Sequence, residues 1–573
     1  MQNAKQEPAS SPIDKLFTFS GQLTRSRLAM LVLLAVGLTL YLWNAVHVID
    51  YPEYDESYYL VRGVLVTEGR YADAAISDLT SAPGAVWVYA ALYSWQRNAN
   101  VYPYAFILAV WTMGIGAYLL LSRIFPPLPS WLFALFIVVS ATPARPENMT
   151  YFLGAGILWF GLSLLGRSVI ARGLAAFVVL ISMYFRPEFQ FCFWPLCLYL
   201  IYYEWRIIRR KRSALPSTVV AYLPVVIGML FTLAAMTFHP VDTSARIGNA
   251  LPWSYVDYLQ QTSPQRVDGL NSYANPTVLF QQDFGKIASD GVSNQLTALL
   301  RNPRRGAEYL GYNSLRLFGA LGASFLEAWR WHLVPYPDTS FVVTPDWINV
   351  VVFAVLCAVF VALVVINSRR VQLPEWSTIT KRSGFAGVLL LALLVPWLIL
   401  INPHQRAFMI LPLVLLPIGY GMLIITANVR LPSWGSAALV VVILVILPRP
   451  FTGNPDRPVS RSVELLRKTV KPDSVLVGAP AGTYENYLYA DGISIQTLEV
   501  PDYLPSVLVN AYNRNHRLRY AVTTHLYPDA VYAKWFEEWQ EANPGRTWRQ
   551  IASLPDIHFT VFELEANPAL TEF

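Results

Sequence analysis

Two adjacent carboxylates, Asp55 and Glu56, stand just past the first long apolar run, in Tyr54-Asp55-Glu56-Ser57-Tyr58-Tyr59. A carboxylate at an apolar boundary is costly unless it is paired, solvated or functional. Desolvation raises a carboxyl pKa and suits the group to general-base work. A solvated loop pair stays open as an alternative, and so do acidic residues placed at the positive end of a helix. Asp78 follows in the same loop, and Asp55, Glu56 and Asp78 are hard oxygen ligands of the kind a divalent metal takes. Cations stand near the ends of later apolar runs: Arg145, Arg186, Arg449, and Arg406 with His404 two residues before it. Arginine matches phosphate geometrically and keeps its charge, so these residues are candidates for binding a phosphate. The alternatives for Arg145 and Arg186 are pairing within the repeated triplets Arg145-Pro146-Glu147 and Arg186-Pro187-Glu188, or anchoring at an interface.

The elements that must position these residues are set by composition. Of 573 residues, 54% are hydrophobic and only 14% charged. A soluble domain carries about a quarter charged residues, so much of this apolar surface must face lipid. Aromatic residues make up 14%, which suits two membrane–water interfaces. A span needs about 20 apolar residues. Candidates lie near 28–47, 101–121, 129–142, 150–166, 172–186, 189–204, 217–237, 342–366, 383–401, 405–426 and 432–448. Residues 83–95, opening on Pro83-Gly84, are too few for a full span and suit a helix lying at the interface.

Charge placement fixes the sides. Short cytoplasmic loops are enriched in Lys and Arg. With Lys15, Arg25 and Arg27 inside and 83–95 lying flat, the inner loops carry Arg167 with Arg172, then Arg206, Arg209, Arg210, Lys211 and Arg212, then Arg369 to Arg382, then Arg430. If 83–95 crossed, the 206–212 cluster would face outward. The chain therefore reads as a polytopic α-helical membrane protein of about eleven transmembrane helices, with its N-terminus inside and its C-terminus outside. No cleavage signal follows the first run, which reads as a signal anchor. The segments are 1–27 cytoplasmic, 28–450 membrane domain with outer loops 48–100 and 238–341, and 451–573 outside. The 238–341 loop holds an amphipathic stretch, Leu315 to Trp331. The tail alternates as a small soluble α/β domain, with strands at 474–479, 493–500, 519–524 and 557–563 and helices at 484–490, 504–515 and 530–542. Cys192, Cys197 and Cys357 all lie in apolar runs, which argues against disulfides. The sequon at Asn148 is single and reads as chance. Neither a nucleotide-binding fingerprint nor a nucleic-acid motif is present, and the net charge of +6 is explained by topology.

The first outer loop resembles the GT-C superfamily of polyprenyl-phosphate-sugar-dependent glycosyltransferases, in the branch of protein O-mannosyltransferases and lipid A aminoarabinose transferases. The matching residues are Asp55-Glu56, Tyr58-Tyr59, Gly69 with Tyr71, and Pro83-Gly84 opening a juxtamembrane helix. The match covers about residues 50–95, and across the spans it is one of topology. Many relatives carry Lys just before the Pro step, and this chain has Thr80-Ser81-Ala82. Phosphate binding must then come from elsewhere, and Arg145, Arg186, His404 and Arg406 are the substitutes. The resemblance implies inverting sugar transfer at the exoplasmic face of the cell membrane, from a polyprenyl-phosphate donor to a glycan, lipid or protein acceptor. Asp55 would be the general base, alone or through Glu56, and Tyr58, Tyr59 and Trp87 would line the sugar site or belong to the aromatic belt. Two rival functions stay open. A lipid-linked glycan flippase would want charges along the spans, whose centres are nearly free of them. An oligosaccharide ligase using a diphosphate donor would want a large outer loop rich in Arg and His, and 238–341 holds His239, Arg246, Arg266, Arg301, Arg304, Arg305 and Arg316.

Overall fold

The structure is a computed structural model of the chain. It describes residues 26–51, 55–74, 82–141, 149–210, 215–238, 243–267, 276–285, 292–330, 347–368, 379–401, 406–427, 433–446, 457–478, 481–499, 518–524, 536–537, 539–541, 543 and 545–566.

Every apolar run predicted to span contains a helix. Apart from a single turn at Ala45–Val48, the described helices begin in chain order with α1 (Arg27–Tyr41), α2 (Asp55–Thr67), α3 (Pro83–Trp95), α4 (Val101–Leu121), α5 (Pro127–Ala141), α6 (Met149–Ser163), α7 (Val169–Phe185), α8 (Gln190–Arg210) and α9 (Leu215–Phe238). The 238–341 segment holds α10 (Thr243–Thr262), α11 (Pro276–Phe284), α12 (Val292–Arg301) and α13 (Pro303–Arg330). Then come α14 (Trp347–Ser368), α15 (Ile379–Leu390), α16 (Val395–Leu400), α17 (Leu411–Ala427) and α18 (Ser433–Ile446). Among the described residues, four helical stretches are long and apolar enough to cross a membrane: Arg27–His47, Val101–Leu121, Leu215–Ala234 and Arg382–Leu400. Shorter apolar helices cover Pro127–Ala141, Met149–Ser163, Val169–Phe185, Trp347–Val359 and Ala407–Gly421.

Local sequence explains several boundaries. Pro83 opens α3 at a position where a missing N–H costs nothing. Pro187 follows the end of α7, and the residue before a proline avoids the helical region, so Arg186 is extended at φ −149. Helices cross tightly where glycines face one another. A Cβ on Gly116 of α4 would lie 2.2 Å from the Gly156 carbonyl oxygen of α6. Small residues let backbones approach this closely where lipid supplies no hydrophobic drive. The predicted amphipathic stretch Leu315–Trp331 lies within α13, apart from Trp331, which is outside the described residues. Helices α10 to α13 share their own core, including Tyr255, Leu259, Phe280, Phe284 and Tyr309, closed by Leu400 and Ile401.

The tail holds α19 (Pro458–Thr469), α20 (Ala481–Ala490) and five strands: β1 (Val475–Gly478), β2 (Gln496–Glu499), β3 (Leu518–Thr523), β4 (Arg546–Leu554) and β5 (Phe559–Ala566). Their order in one sheet is β2-β1-β3-β5-β4, with β1 parallel to β2 and β3, and β5 antiparallel to β3 and β4. The interior strand β1 is buried at every residue, as a parallel strand covered on both faces should be. The four predicted strands are present. Helix α19 and strand β4 are additions to the predicted set. The predicted helix 504–515 lies outside the described residues, and 530–542 lies mostly outside them. All three cysteines are free.

Candidate functional site

The site forms where the starts of α2 and α6 meet the end of α7 and the segment before α17. Glu56, in the first turn of α2, is 2% exposed. Its Oε1 accepts from the Thr150 backbone N–H at 3.2 Å and from the Thr150 hydroxyl at 3.0 Å. Its Oε2 accepts from the Tyr89 hydroxyl at 3.2 Å. Thr150 is the second residue of α6, so Glu56 supplies the partner that an N-terminal helix amide otherwise lacks, and its charge suits the positive end of that helix. Burial, with Glu56 alongside, pushes the Tyr89 hydroxyl well above its usual pKa, so it remains a donor. The start of α3 is held close by Gly84, where a Cβ would lie 2.8 Å from the Phe185 ring.

The same Thr150 hydroxyl accepts from Arg186 Nε at 3.1 Å, which links the carboxylate to the cations. The Arg186 guanidinium lies 3.7 Å from the centroid of the Tyr151 ring, and that of Arg406 lies 4.8 Å from it. Arg406 also stacks on Trp397 at 4.8 Å. One carboxylate accompanies the two cations. Glu188 Oε1 accepts from the Tyr151 hydroxyl at 3.3 Å and lies 3.9 Å from Arg406 Nη1. The Arg406 and Glu188 side chains are 15% and 14% exposed, and Arg406 Nε and Glu188 Oε2 are buried without a hydrogen-bond partner. The two guanidiniums gather with Glu188 in a sheltered place, and Glu56 is one hydroxyl away through Thr150. A cation in such a place favours an anionic partner.

Of the residues singled out in the sequence, Glu56, Arg186 and Arg406 are brought together. Asp55 is the first residue of α2, one position before Glu56, and its side chain lies outside the described residues. Asp78, Arg145 and His404 lie outside them too. Tyr58 is exposed, as is Trp87, while Tyr59 is 1% exposed and packs in the core. Glu56 fits a metal poorly, because both its oxygens already face hydrogen-bond donors. No group of three metal-ligating side chains occurs among the described residues. Sequence reasoning did not assign Thr150, Tyr151, Tyr89 or Trp397 to the site. The nearest signal was the position of Thr150 and Tyr151 just after the first Arg-Pro-Glu triplet.

A second set of contacts ties the tail to the same loop. Asp50 accepts from the Val459 and Ser460 amides of α19 at 3.0 and 2.8 Å, and from the Ser460 hydroxyl at 2.6 Å. Burial raises the Asp50 pKa against these hydrogen bonds. Tyr51 stacks on Tyr487 at 4.6 Å, and Asn486 donates to the Ser57 hydroxyl at 3.0 Å.

No family model matches the chain, and no curated protein matches it. Solved structures do align with it. One is ArnT from Cupriavidus metallidurans bound to undecaprenyl phosphate, with 13% identity, 93% of this chain and 97% of that one covered, and a TM-score of 0.38. Another is the archaeal oligosaccharyltransferase AglB from Archaeoglobus fulgidus, in complex with an inhibitory peptide and a dolichol-phosphate. It has 10% identity, 96% and 74% coverage, and a TM-score of 0.43. A further Archaeoglobus fulgidus oligosaccharyltransferase, complexed with Zn and sulfate, has 11% identity, 86% and 67% coverage, and a TM-score of 0.32. At these values the likeness carries no argument about residues or substrates.

Proposed function

We propose that this chain is an integral membrane glycosyltransferase that moves one sugar from a polyprenyl-phosphate donor to an acceptor hydroxyl at the exoplasmic face. The observation that carries the reading is the guanidinium pair of Arg186 and Arg406 on the Tyr151 ring, joined through Thr150 to Glu56. It brings two guanidiniums near Glu56, a member of the acidic pair of the first outer loop. The donor phosphate would sit against Arg186 and Arg406. As the acceptor oxygen bonds to the anomeric carbon, the bond from that carbon to the phosphate oxygen breaks and its electron pair leaves on the phosphate. The arginines stabilise that charge. Attack opposite the leaving phosphate inverts the anomeric centre. Asp55 takes the hydroxyl proton as charge develops, and positioning supplies much of the rate. Glu56 serves as the anchor that holds the start of α2, because its lone pairs are engaged by Thr150 and Tyr89.

Sidedness supports the reading. Arg172 near the start of α7 pairs at 2.5 Å with Glu204 near the end of α8, and its guanidinium also donates to the carbonyls of Gly166 and Arg167. That polar end of the bundle is opposite the site in helix direction and is the end where the cation-rich loops place the cytoplasm. The reading then has eleven spans, α3 at the outer interface, and the tail outside.

The test is an Arg406→Lys variant in membranes, assayed with radiolabelled polyprenyl-phosphate sugars. Loss of the planar fork at a stacked site predicts a donor KM raised about tenfold. An unchanged donor KM removes Arg406 from phosphate binding.

A further inference from the structure

The C-terminal domain touches the first outer loop at one place that bears directly on the acidic pair. Asn486, buried in α20, donates from Nδ2 to the hydroxyl of Ser57, which is fully buried and directly follows Glu56. Helix α20 runs along α2. At the far end of α2, the Tyr489 hydroxyl donates to Glu68 at 2.9 Å and accepts from Arg70 at 3.0 Å. The Tyr93 hydroxyl of α3 donates to the Ala490 carbonyl at 3.0 Å, and Asp491 accepts from the Ala99 amide at 3.0 Å. Successive residues of a helix point about 100° apart. In the first turn of α2, Glu56 is tied to the membrane bundle and Ser57 to the soluble domain. Two ties in different directions fix the rotation of α2 about its axis, and Asp55 lies one residue before the first and two before the second.

We propose that Asn486 is a positioning residue of the transfer reaction: through Ser57 it sets the rotation of α2 and so the placement of Asp55. The inference rests on the reading of Asp55 as the base. It assigns the soluble domain a part in the reaction itself. Donor phosphate binding runs through Arg186 and Arg406, which gather on the Tyr151 ring of α6. Loss of the Asn486 tie therefore lowers kcat and leaves donor KM in place.

The full-length protein, purified into lipid nanodiscs, is assayed as wild type and as Asn486→Ala, Asn486→Leu, Ser57→Ala, the Asn486→Ala/Ser57→Ala double variant, and Asp55→Asn. Losing one buried hydrogen bond is expected to cost about fivefold in kcat in each single variant, with donor KM unchanged. The double variant should be no slower than the slower single. Asn486→Leu fills the space without a donor and should be as slow as Asn486→Ala. Wild-type kcat in Asn486→Leu, independent multiplication of the two losses, or a loss confined to KM would overturn the positioning role. If Asp55→Asn is inactive while the Asn486 variants are wild type, only the positioning role fails. If Asp55→Asn is fully active, the reading of the base fails and the inference goes with it.

Discussion

At the scale of single residues, the proposed reaction divides the labour of the acidic pair. Glu56 sits in the first turn of its own helix α2 and also against the N-terminus of α6, from another part of the chain. A Gln at position 56 keeps the shape and turns one acceptor into a donor facing Thr150 or Tyr89. Losing a hydrogen bond to a charged group costs about 1.5–3 kcal/mol, roughly ten- to hundredfold in rate if the α2 start carries the base. Transfer assays on Glu56→Gln check this, and wild-type rates would show that the anchor is dispensable. Asp55-Glu56, Arg186 and Arg406 were legible in the sequence because charge beside an apolar run is conspicuous. Thr150, Tyr151, Tyr89 and Trp397 were not. Threonine and aromatic residues are ordinary in apolar helices, and only their meeting with charged residues in the fold gives them a role, as when Thr150 meets Glu56. The burial of Tyr59 beside the exposed Tyr58 was not legible either, because an aromatic pair in a loop says nothing about which ring the core will take.

At the scale of elements, close approach decides the geometry. A Cβ on Gly63 of α2 would lie 2.6 Å from Tyr89 Cβ and 2.9 Å from the Ala90 nitrogen of α3. Gly63→Ala must push α3 off α2, and Tyr89 with it. The expected cost is about 1–3 kcal/mol of stability, read as a lowered melting midpoint in detergent, with reduced transfer from a loosened Glu56. An unchanged midpoint would mean that the two helices separate freely. The helices themselves were legible because apolar runs of span length have few alternatives. Strand β4, Arg-Thr-Trp-Arg-Gln-Ile-Ala-Ser-Leu, was missed because it does not alternate, and its residues are only half-covered along the sheet edge. Helix α19 had a usable signal in Pro458 followed by Val459, Val463 and Leu466 on one face, and all three are buried.

At the scale of the whole molecule, the membrane bundle and the tail share one continuous core, with Val463, Leu466, Tyr484 and Tyr487 packed in the same cluster as the helices. Composition revealed two parts and gave no hint of this junction. Asp50 is its latch. Because burial raises its pKa above the ordinary 3.8, the docked state binds a proton more tightly than the open chain does. Docking is then strongest below the ordinary carboxylate range and weakens as pH rises through the raised value. Limited proteolysis between α18 and α19, followed across that range, should show cleavage increasing with pH, and Asp50→Asn should flatten the dependence. Cleavage that falls as pH rises would contradict the sign. Topology has its own check: cysteines placed at 97–100 should label from outside the cell, and labelling from the cytoplasm would break the assignment of α3 to the outer interface.

A base supplied by the first outer loop stands at the centre of the proposed reaction. Asp55→Asn, expressed in membranes and supplied with radiolabelled polyprenyl-phosphate sugars, measures it directly. The variant should insert and still bind donor but transfer at least about a hundredfold more slowly, in line with the loss of a positioned general base. Transfer at the wild-type rate would contradict a base at Asp55.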